Sequence, residues 1–174
     1  MIDIGFIGDP HFGHEAIANI RGFTDIDKYN QEVIYRINSV LHKRSLLYLM
    51  GDITMENSKW YHLLDEIKAR IVVIGGNHDL RKDFPELMKH VEAVIGTLKY
   101  HGAIFTHIPI HTQEVNRFLF NAHAHTHEEL IKRWAYEAGG YTAREEIDKR
   151  YTCLSWDRLE GIPWSWEQIL NSRK

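Results

Sequence analysis

The chain has 174 residues, of which 44% are hydrophobic and 26% are charged, and its formal net charge is −3. This length and composition are typical of a soluble globular protein with one sizeable core. The slightly acidic balance gives no sign of the basic surface that nucleic-acid-binding proteins carry. A single cysteine excludes a disulfide framework, and neither a secretory signal nor an apolar run that could span a membrane is apparent. We therefore expect a cytoplasmic protein.

The first half of the chain alternates apolar runs with segments of helical spacing. Three apolar runs predict buried strands over residues 2–8, 46–50 and 71–74, because each ends in Gly, Asp or Pro. Apolar residues recur at helical spacing over 28–43 and 58–69, which predicts two helices. Alternation of this kind is typical of an α/β fold.

Strand character dominates the second half. Strands are expected over 98–100, 103–106, 118–122 and 151–156. His101 and Gly102 separate the first two of these runs, which predicts a hairpin. Ser165 followed by Gln168 forms the capping box of a last helix. The whole order of elements predicts a layered α/β sandwich.

Residues 127–149 differ from the rest of the chain. An apolar stripe amid charges, at Leu130, Ile131 and Trp134, predicts a helix, and Thr142 with Glu145 makes a capping box for a second one. We therefore predict a helical insertion near 127–149 within a single domain that spans 1–174. Its aromatic residues suit packing against the body better than a lid over a site, and the insertion is also a candidate contact in a homo-oligomer.

Five short polar clusters follow apolar runs and supply the residue types of a metal site. They are Asp9-Pro10-His11, Gly51-Asp52, Gly76-Asn77-His78-Asp79, Thr106-His107 and His123-Ala124-His125. Functional groups in α/β sheets collect just past the carboxyl ends of strands, so we expect these clusters to converge. Any one of them alone is more often a turn or a loop histidine. Carboxylate and imidazole groups without thiolate suit Mn, Fe, Co, Ni or Zn.

The ordered clusters resemble the motifs of the calcineurin-like metallophosphoesterase superfamily, in which Asp-x-His, Gly-Asp, Gly-Asn-His-Asp, His and Gly-His-x-His follow one another. The resemblance covers most of residues 1–125 and departs from the family pattern at Ala122, where Gly is usual. It is strongest to the small stand-alone members of bacteria and their viruses, because His14 and Arg81 follow the first and third motifs. It implies an α/β/β/α sandwich of two mixed β-sheets flanked by helices.

The resemblance also implies two divalent transition-metal ions, with manganese preferred and iron, nickel, cobalt or zinc as alternatives. One ion would be held by Asp9, His11, Asp52 and His125, and the other by Asp52, Asn77, His107 and His123. Asp52 would bridge the two ions, and a hydroxide between them would attack phosphorus.

Four further residues are candidates for work on the substrate. The resemblance implies that His78 assists the leaving group, and that Asp79 either orients His78 or only caps a turn. His14 and Arg81 are candidate substrate-binding residues. For each of them a capping or solvated role is about as good an interpretation as contact with a phosphate.

These observations predict a dinuclear metal-dependent phosphoesterase that hydrolyses a phosphodiester or a phosphomonoester. The acidic composition favours a small or nucleotide-like substrate over nucleic acid. The alternative is a nuclease or a nucleic-acid end-processing phosphoesterase, and a non-catalytic protein-binding scaffold of the same fold is less favoured. A homo-oligomer is compatible with the sequence, and no membrane partner is expected.

Overall fold

The computed structural model describes residues 1–136 and 143–174. Its strands are β1 Ile4–Ile7, β2 Leu46–Leu49, β3 Arg70–Ile74, β4 Ala93–Ile95, β5 Leu98–Tyr100, β6 Ala103–Phe105, β7 Asn121–His123, β8 Lys132–Tyr136, β9 Ala143–Ile147 and β10 Tyr151–Cys153. Its helices are α1 Glu15–Ile20, α2 Ile26–Val40, α3 Phe84–Leu87, α4 Thr112–Val115 and α5 Trp166–Asn171, with 3-10 helices at Ser58–Glu66 and Arg81–Asp83.

Two four-stranded sheets organise the fold. One has the order β1-β2-β3-β4 and is parallel throughout, and the other has the order β10-β7-β6-β5 and is mixed. The predicted α/β class with two sheets and flanking helices is confirmed. The first sheet is parallel rather than mixed. Helical segments connect its successive strands, and such a crossover brings the chain back to begin the next strand in the same direction.

The two sheets pack face to face through aromatic side chains. The rings of Phe6 in β1 and Phe105 in β6 stack with centroids 4.6 Å apart, and Phe6 also stacks on Tyr48 in β2 at 5.3 Å. Trp166 of α5 covers Phe120 at 5.8 Å. The buried apolar residues of both sheets and of the helices form one continuous cluster. This packing fixes how the ends of the two sheets face one another.

Local sequence signals explain several element boundaries. The carboxylate of Asp25 accepts hydrogen bonds from the N–H groups of Asp27 and Lys28 and so caps α2. The predicted capping box of Ser165 and Gln168 begins α5. The predicted hairpin joins β5 to β6, and His101 and Gly102 at its turn both have positive φ (47° and 82°), as a two-residue type I′ turn requires.

Two sequence-based predictions are corrected here. Residues 58–66 form a 3-10 helix rather than an α-helix. The helical insertion near 127–149 is wrong, because its described part forms the antiparallel strands β8 and β9. Ion pairs join directly opposed Arg133 and Glu146 (2.7 Å), and Lys132 pairs with Glu145 (2.7 Å) across the same ladder. The predicted break at Gly139-Gly140 and the cap at Thr142 lie outside the described residues.

The described helices are also informative about membranes. None of the helices in residues 1–136 and 143–174 is long and apolar enough to cross a lipid bilayer.

Candidate metal centre

The predicted clusters meet where the ends of the two sheets face one another. Asp9 and Asp52 follow β1 and β2 of the parallel sheet. His107 and His125 follow β6 and β7 of the mixed sheet. The N–H of Asp9 donates to the carbonyl of Gly51 (3.1 Å), which extends the strand pairing into the loops. The N–H of His125 donates to Oδ2 of Asp9 (2.9 Å), so the loops of the two sheets are joined directly.

The backbone of the cluster is held in an uncommon conformation. Five non-glycine residues there have positive φ: Asp9 (60°), His11 (47°), Asp52 (50°), His125 (63°) and His127 (52°). Each such residue costs on the order of 1–3 kcal/mol and persists only when the surrounding structure holds it. Strain concentrated on neighbouring carboxylates and imidazoles is typical of a functional site.

Side-chain atoms converge in two groups that share one carboxylate. The ligand atoms of Asp9, His11 and Asp52 all lie within 4.8 Å of one another, and so do those of Asp52, His107 and His125. Gly76 keeps room for this shared carboxylate, because a Cβ added there would lie 2.3 Å from Oδ1 of Asp52. The predicted role of Asp52 between two ions agrees with this arrangement.

His107 shows the geometry of a metal-binding imidazole. Its Nδ1 lies 2.8 Å from the carbonyl oxygen of Met50, which fixes the ring. Its Nε2 lies 3.0 Å from Oδ1 of Asn77 and 3.3 Å from Oδ2 of Asp52. Burial lowers the pKa of His107, but the hydrogen bond and charge of Asp52 outweigh burial and raise the pKa overall. Nε2 of His107 therefore faces an amide oxygen and a carboxylate oxygen, which are ligand types of a metal site.

Two buried residues carry polar atoms that have no hydrogen-bond partner among the described residues. Oδ1 of Asp9 and both ring nitrogens of His11 are buried without hydrogen-bond partners in the described chain. Burial raises the pKa of Asp9 to about 7 and lowers the pKa of His11 to about 3. Buried polar groups are normally paired, and leaving one unpaired costs on the order of 1–3 kcal/mol. A divalent cation would satisfy Oδ1 of Asp9 and one ring nitrogen of His11, so the residues present fit a metal.

The three alternating histidines that begin at the end of β7 are placed differently from the prediction. His125 groups with Asp52 and His107, not with Asp9 and His11. His127 instead approaches the first group, because its ring stacks on that of His11 with centroids 5.5 Å apart. His123 belongs to neither group, and its Nδ1 donates to the carbonyl of Ala124 (2.8 Å). It is the last residue of β7, and its ring lies near Tyr151.

His127 was missed by sequence reasoning. The pattern His123-x-His125-x-His127 offers two equally spaced pairs, and spacing alone does not choose between them. In the structure, Nδ1 of His127 lies 2.6 Å from Oδ2 of Asp157. Metal-binding histidines commonly make such a bond with the ring nitrogen that does not face the metal.

Of the two roles predicted for Asp79, the structure supports the turn cap, and no hydrogen bond among the described residues joins its carboxylate to the ring of His78. The Asp79 carboxylate accepts hydrogen bonds from the N–H groups of Gly76 (2.8 Å), Asp52 (2.9 Å) and Ile53 (3.0 Å), so it caps the turns that carry the cluster. Nδ1 of His78 lies instead 3.3 Å from Oε1 of Glu56, which sequence reasoning also missed. The N–H of His78 donates to Oδ1 of Asp52 (3.0 Å), which keeps His78 beside the cluster.

The two predicted substrate-binding residues differ in position. The ring of His14 lies 5.8 Å from that of His11, at the rim of the cluster, and its side chain makes no capping bond to α1. Arg81 is exposed at the start of a 3-10 helix, and no contact among the described residues brings it to the cluster. The structure therefore brings His14, but not Arg81, to the candidate site.

A groove of about 940 Å³ opens beside the cluster, and His125 and His127 lie in its wall. Apolar side chains such as Ile17, Phe23 and Trp156 line it. Its remaining charged lining residues are the two pairs Arg21–Asp157 and Arg36–Glu32 and the carboxylates of Glu128, Glu129 and Glu160. This volume suits a small organic molecule, and the excess of carboxylates disfavours a polyanion.

Comparisons with known proteins identify the family. The calcineurin-like phosphoesterase family matches residues 2–169, so this chain belongs to that family. It is 27% identical over 143 residues to an uncharacterised protein of Methanocaldococcus jannaschii, MJ1445, covering 78% of this chain and 76% of that protein. A protein of unknown function from Aquifex aeolicus, AQ665, has a similar fold, with a TM-score of 0.66 and 19% identity over 97% of this chain and 98% of that one. An archaeal phosphodiesterase gives a TM-score of 0.44 at 14% identity, over 83% of this chain and 99% of that one.

Proposed function

We propose that this chain is a dinuclear metal-dependent phosphoesterase. Its family is one of phosphoesterases. The observation that carries the dinuclear proposal is that Asp52 belongs to two ligand groups. Beside it lie buried atoms of Asp9 and His11 that have no hydrogen-bond partner in the part of the chain that the structure describes. A carboxylate that serves two cations is the arrangement of two-metal phosphoester chemistry.

The ligand set that we propose differs from the one that the resemblance implies, and the two groups that share Asp52 support it. One ion would be held by Asp9, His11, Asp52 and His127, and the other by Asp52, Asn77, His107 and His125. The family motif Gly-His-x-His then corresponds to Ala124-His125-Thr126-His127, two residues later than the sequence analysis placed it. In this register Ala124 takes the position of the motif's glycine, where a small residue is needed. The close packing there supports it, because a Cβ added to Gly8 would lie only 2.4 Å from the Cβ of Ala124.

Bound in these sites, two divalent cations would lower the pKa of water and neutralise charge on a phosphoryl group. The chain's own residues would act on the leaving group and on the phosphate oxygens. His78, half-buried at the rim, is placed to donate a proton to the leaving oxygen, and Glu56 holds its other face. His14 is placed to donate a hydrogen bond to a phosphate oxygen.

The substrate is a small phosphodiester or phosphomonoester, and nucleotides are within this class. The neighbouring groove supports this proposal, because its volume suits a small organic group and its carboxylates, which outnumber its two arginines, repel a nucleic-acid backbone. A nuclease remains the alternative function, and no observation on the described surface favours it.

The decisive experiment loads chelator-washed protein with manganese, iron, cobalt, nickel or zinc and measures hydrolysis of bis(4-nitrophenyl) phosphate and 4-nitrophenyl phosphate. We expect two metal equivalents and turnover that disappears in Asp52→Asn. Full activity of chelator-washed protein, or of Asp52→Asn, would contradict the proposal. Cleavage of DNA or RNA faster than of small esters, with a steep loss of binding as salt rises, would favour the nuclease.

A further inference from the structure

A buried arginine connects two distant parts of the candidate metal centre. Arg21 at the end of α1 donates from Nε and Nη2 to the two carboxylate oxygens of Asp157, both at 2.8 Å. Nη2 also donates to the carbonyl oxygen of Asp9 (3.0 Å), and Nη1 donates to that of Pro10 (3.4 Å) and to the hydroxyl of Tyr29. All five N–H donors of the guanidinium are therefore used.

Asp157 in turn fixes the orientation of the His127 ring. Because the planar guanidinium bonds both of its oxygens, the carboxylate has one orientation. Oδ2 of Asp157 lies 2.6 Å from Nδ1 of His127, so the proton of that imidazole is directed to Nδ1 and Nε2 is left to face the cluster. The side chains of Arg21 and Asp157 are only 7% and 16% exposed, which protects the bonds from water.

The same arginine also supports the loop on the other side of the site. Its bonds to Asp9 and Pro10 hold the segment in which Asp9 has φ 60°, and Tyr29 donates a second bond to the Pro10 carbonyl (2.5 Å). One side chain thus fixes the distance between two proposed ligands of one ion, Asp9 and His127. None of these bonds reaches His107 or His125, the imidazoles of the other group.

We propose that Asp157, oriented by Arg21, is a positioning residue that sets the affinity of one of the two metal sites, the one built on Asp9 and His11. This inference rests on the proposed function, because it assumes that the two ligand groups bind ions. Loss of a histidine's outer hydrogen-bond partner typically lowers metal affinity by about 10–100-fold. The other site, built on Asp52, His107 and His125, keeps its own support, because the Met50 carbonyl holds Nδ1 of His107.

The experiment titrates chelator-washed protein with Co²⁺, following heat and visible absorption so that the two binding steps are resolved. We expect Asp157→Ala and Arg21→Lys to weaken one step by about 10–100-fold and to leave the other within about threefold. Arg21→Lys keeps the charge and removes only the planar fork, so it serves if Asp157→Ala folds poorly. Glu32→Gln is the matched control, because it breaks an ion pair with Arg36 (2.6 Å) in the same groove.

Thermal unfolding of each metal-free variant separates positioning from general stability. If Asp157→Ala and Arg21→Lys lowered the melting temperature while both binding steps kept their wild-type affinity, the pair would be a structural ion pair and the inference would be wrong. Equal weakening of both steps would also overturn it. If the wild-type protein bound no metal, the proposed function itself would fail, which is a different outcome.

Discussion

The imidazole rings of His11 and His127 stack with their centroids 5.5 Å apart and their planes only 13° apart. His11 is buried, and neither of its nitrogens has a hydrogen-bond partner within residues 1–136 and 143–174, whereas His127 is fixed by Asp157. This contact brings His127 against the group of Asp9, His11 and Asp52, and it supports the proposal that His127, and not His123, is a metal ligand.

Substitution of the alternating histidines tests this placement. We expect His127→Asn to remove one metal equivalent and to lower kcat/KM by at least about a hundredfold, because a metal ion contributes several kcal/mol of charge stabilisation. We expect His123→Asn to retain two equivalents, since the His123 ring packs beside Tyr151 and its nitrogens belong to neither ligand group. Metal content by elemental analysis and hydrolysis of an aryl phosphodiester are the two measurements.

The metal-free melting temperature of both variants is the control, because His123 is 1% exposed and its substitution disturbs the core. The placement would be refuted by the opposite pattern, in which His123→Asn loses metal and activity at an unchanged melting temperature while His127→Asn keeps both.

Metal affinity should depend on pH through Asp9. Burial raises the pKa of this carboxyl to about 7 in the metal-free protein, whereas the pKa of His11 falls to about 3. A cation binds the ionised carboxylate, so Asp9 releases a proton on binding below pH 7 and none well above it. We expect the affinity to fall about tenfold per pH unit below pH 7, more steeply if His107 also releases a proton, and to level off above about pH 8.

Calorimetric titration between pH 5.5 and 8.5, in pairs of buffers with different ionisation heats, measures both the affinity and the protons released. An affinity that stayed constant from pH 5.5 to 8.5 would show that Asp9 is ionised without metal or is not a ligand.

The sequence predicted the structure best at positions where the residue type permits few backbone conformations or chemical roles. Gly, Asp and Pro after apolar runs marked the ends of β1 and β2, and the carboxylates found there do converge. The alternating histidines 123, 125 and 127 fit the motif His-x-His in two registers, 123/125 and 125/127, and their equal spacing does not distinguish the two. The distinction depends on where β7 ends, which the sequence does not show. The bond from Arg21 to Asp157 joins residues 136 positions apart, and no local pattern signals such a contact.

The prediction of a helical insertion near 127–149 was wrong for a different reason. Its apolar residues satisfied helical spacing, but ladder pairing between β8 and β9 places Arg133 opposite Glu146 and overrides that local preference. Such cross-strand partners lie too far apart in the sequence for the spacing of nearby apolar residues to reveal them.

Asp79 should prove to be a structural residue. We expect Asp79→Asn to lower the free energy of unfolding by about 2–4 kcal/mol, because its carboxylate accepts three backbone N–H bonds and an amide group cannot accept them all. Thermal or urea unfolding of the metal-free protein measures this loss, and Asp65→Asn, at a carboxylate with 61% of its side chain exposed, is the control. Unchanged stability together with a large loss of kcat would instead support the predicted catalytic role.

His78 should act on the substrate without holding metal. Its ring is half-buried at the rim and is in hydrogen-bond contact with Glu56, while its backbone N–H anchors it to Asp52. We expect His78→Asn to lower kcat by about 10²–10⁴-fold, the usual contribution of a positioned proton donor, and to leave both metal equivalents in place. The deficit should shrink for esters of acidic phenols, because a good leaving group needs little protonation. Glu56→Gln, which keeps the shape of the neighbour, should have a much smaller effect. Loss of metal from His78→Asn, or an equal deficit for good and poor leaving groups, would show that His78 supports the metal centre rather than the departing oxygen.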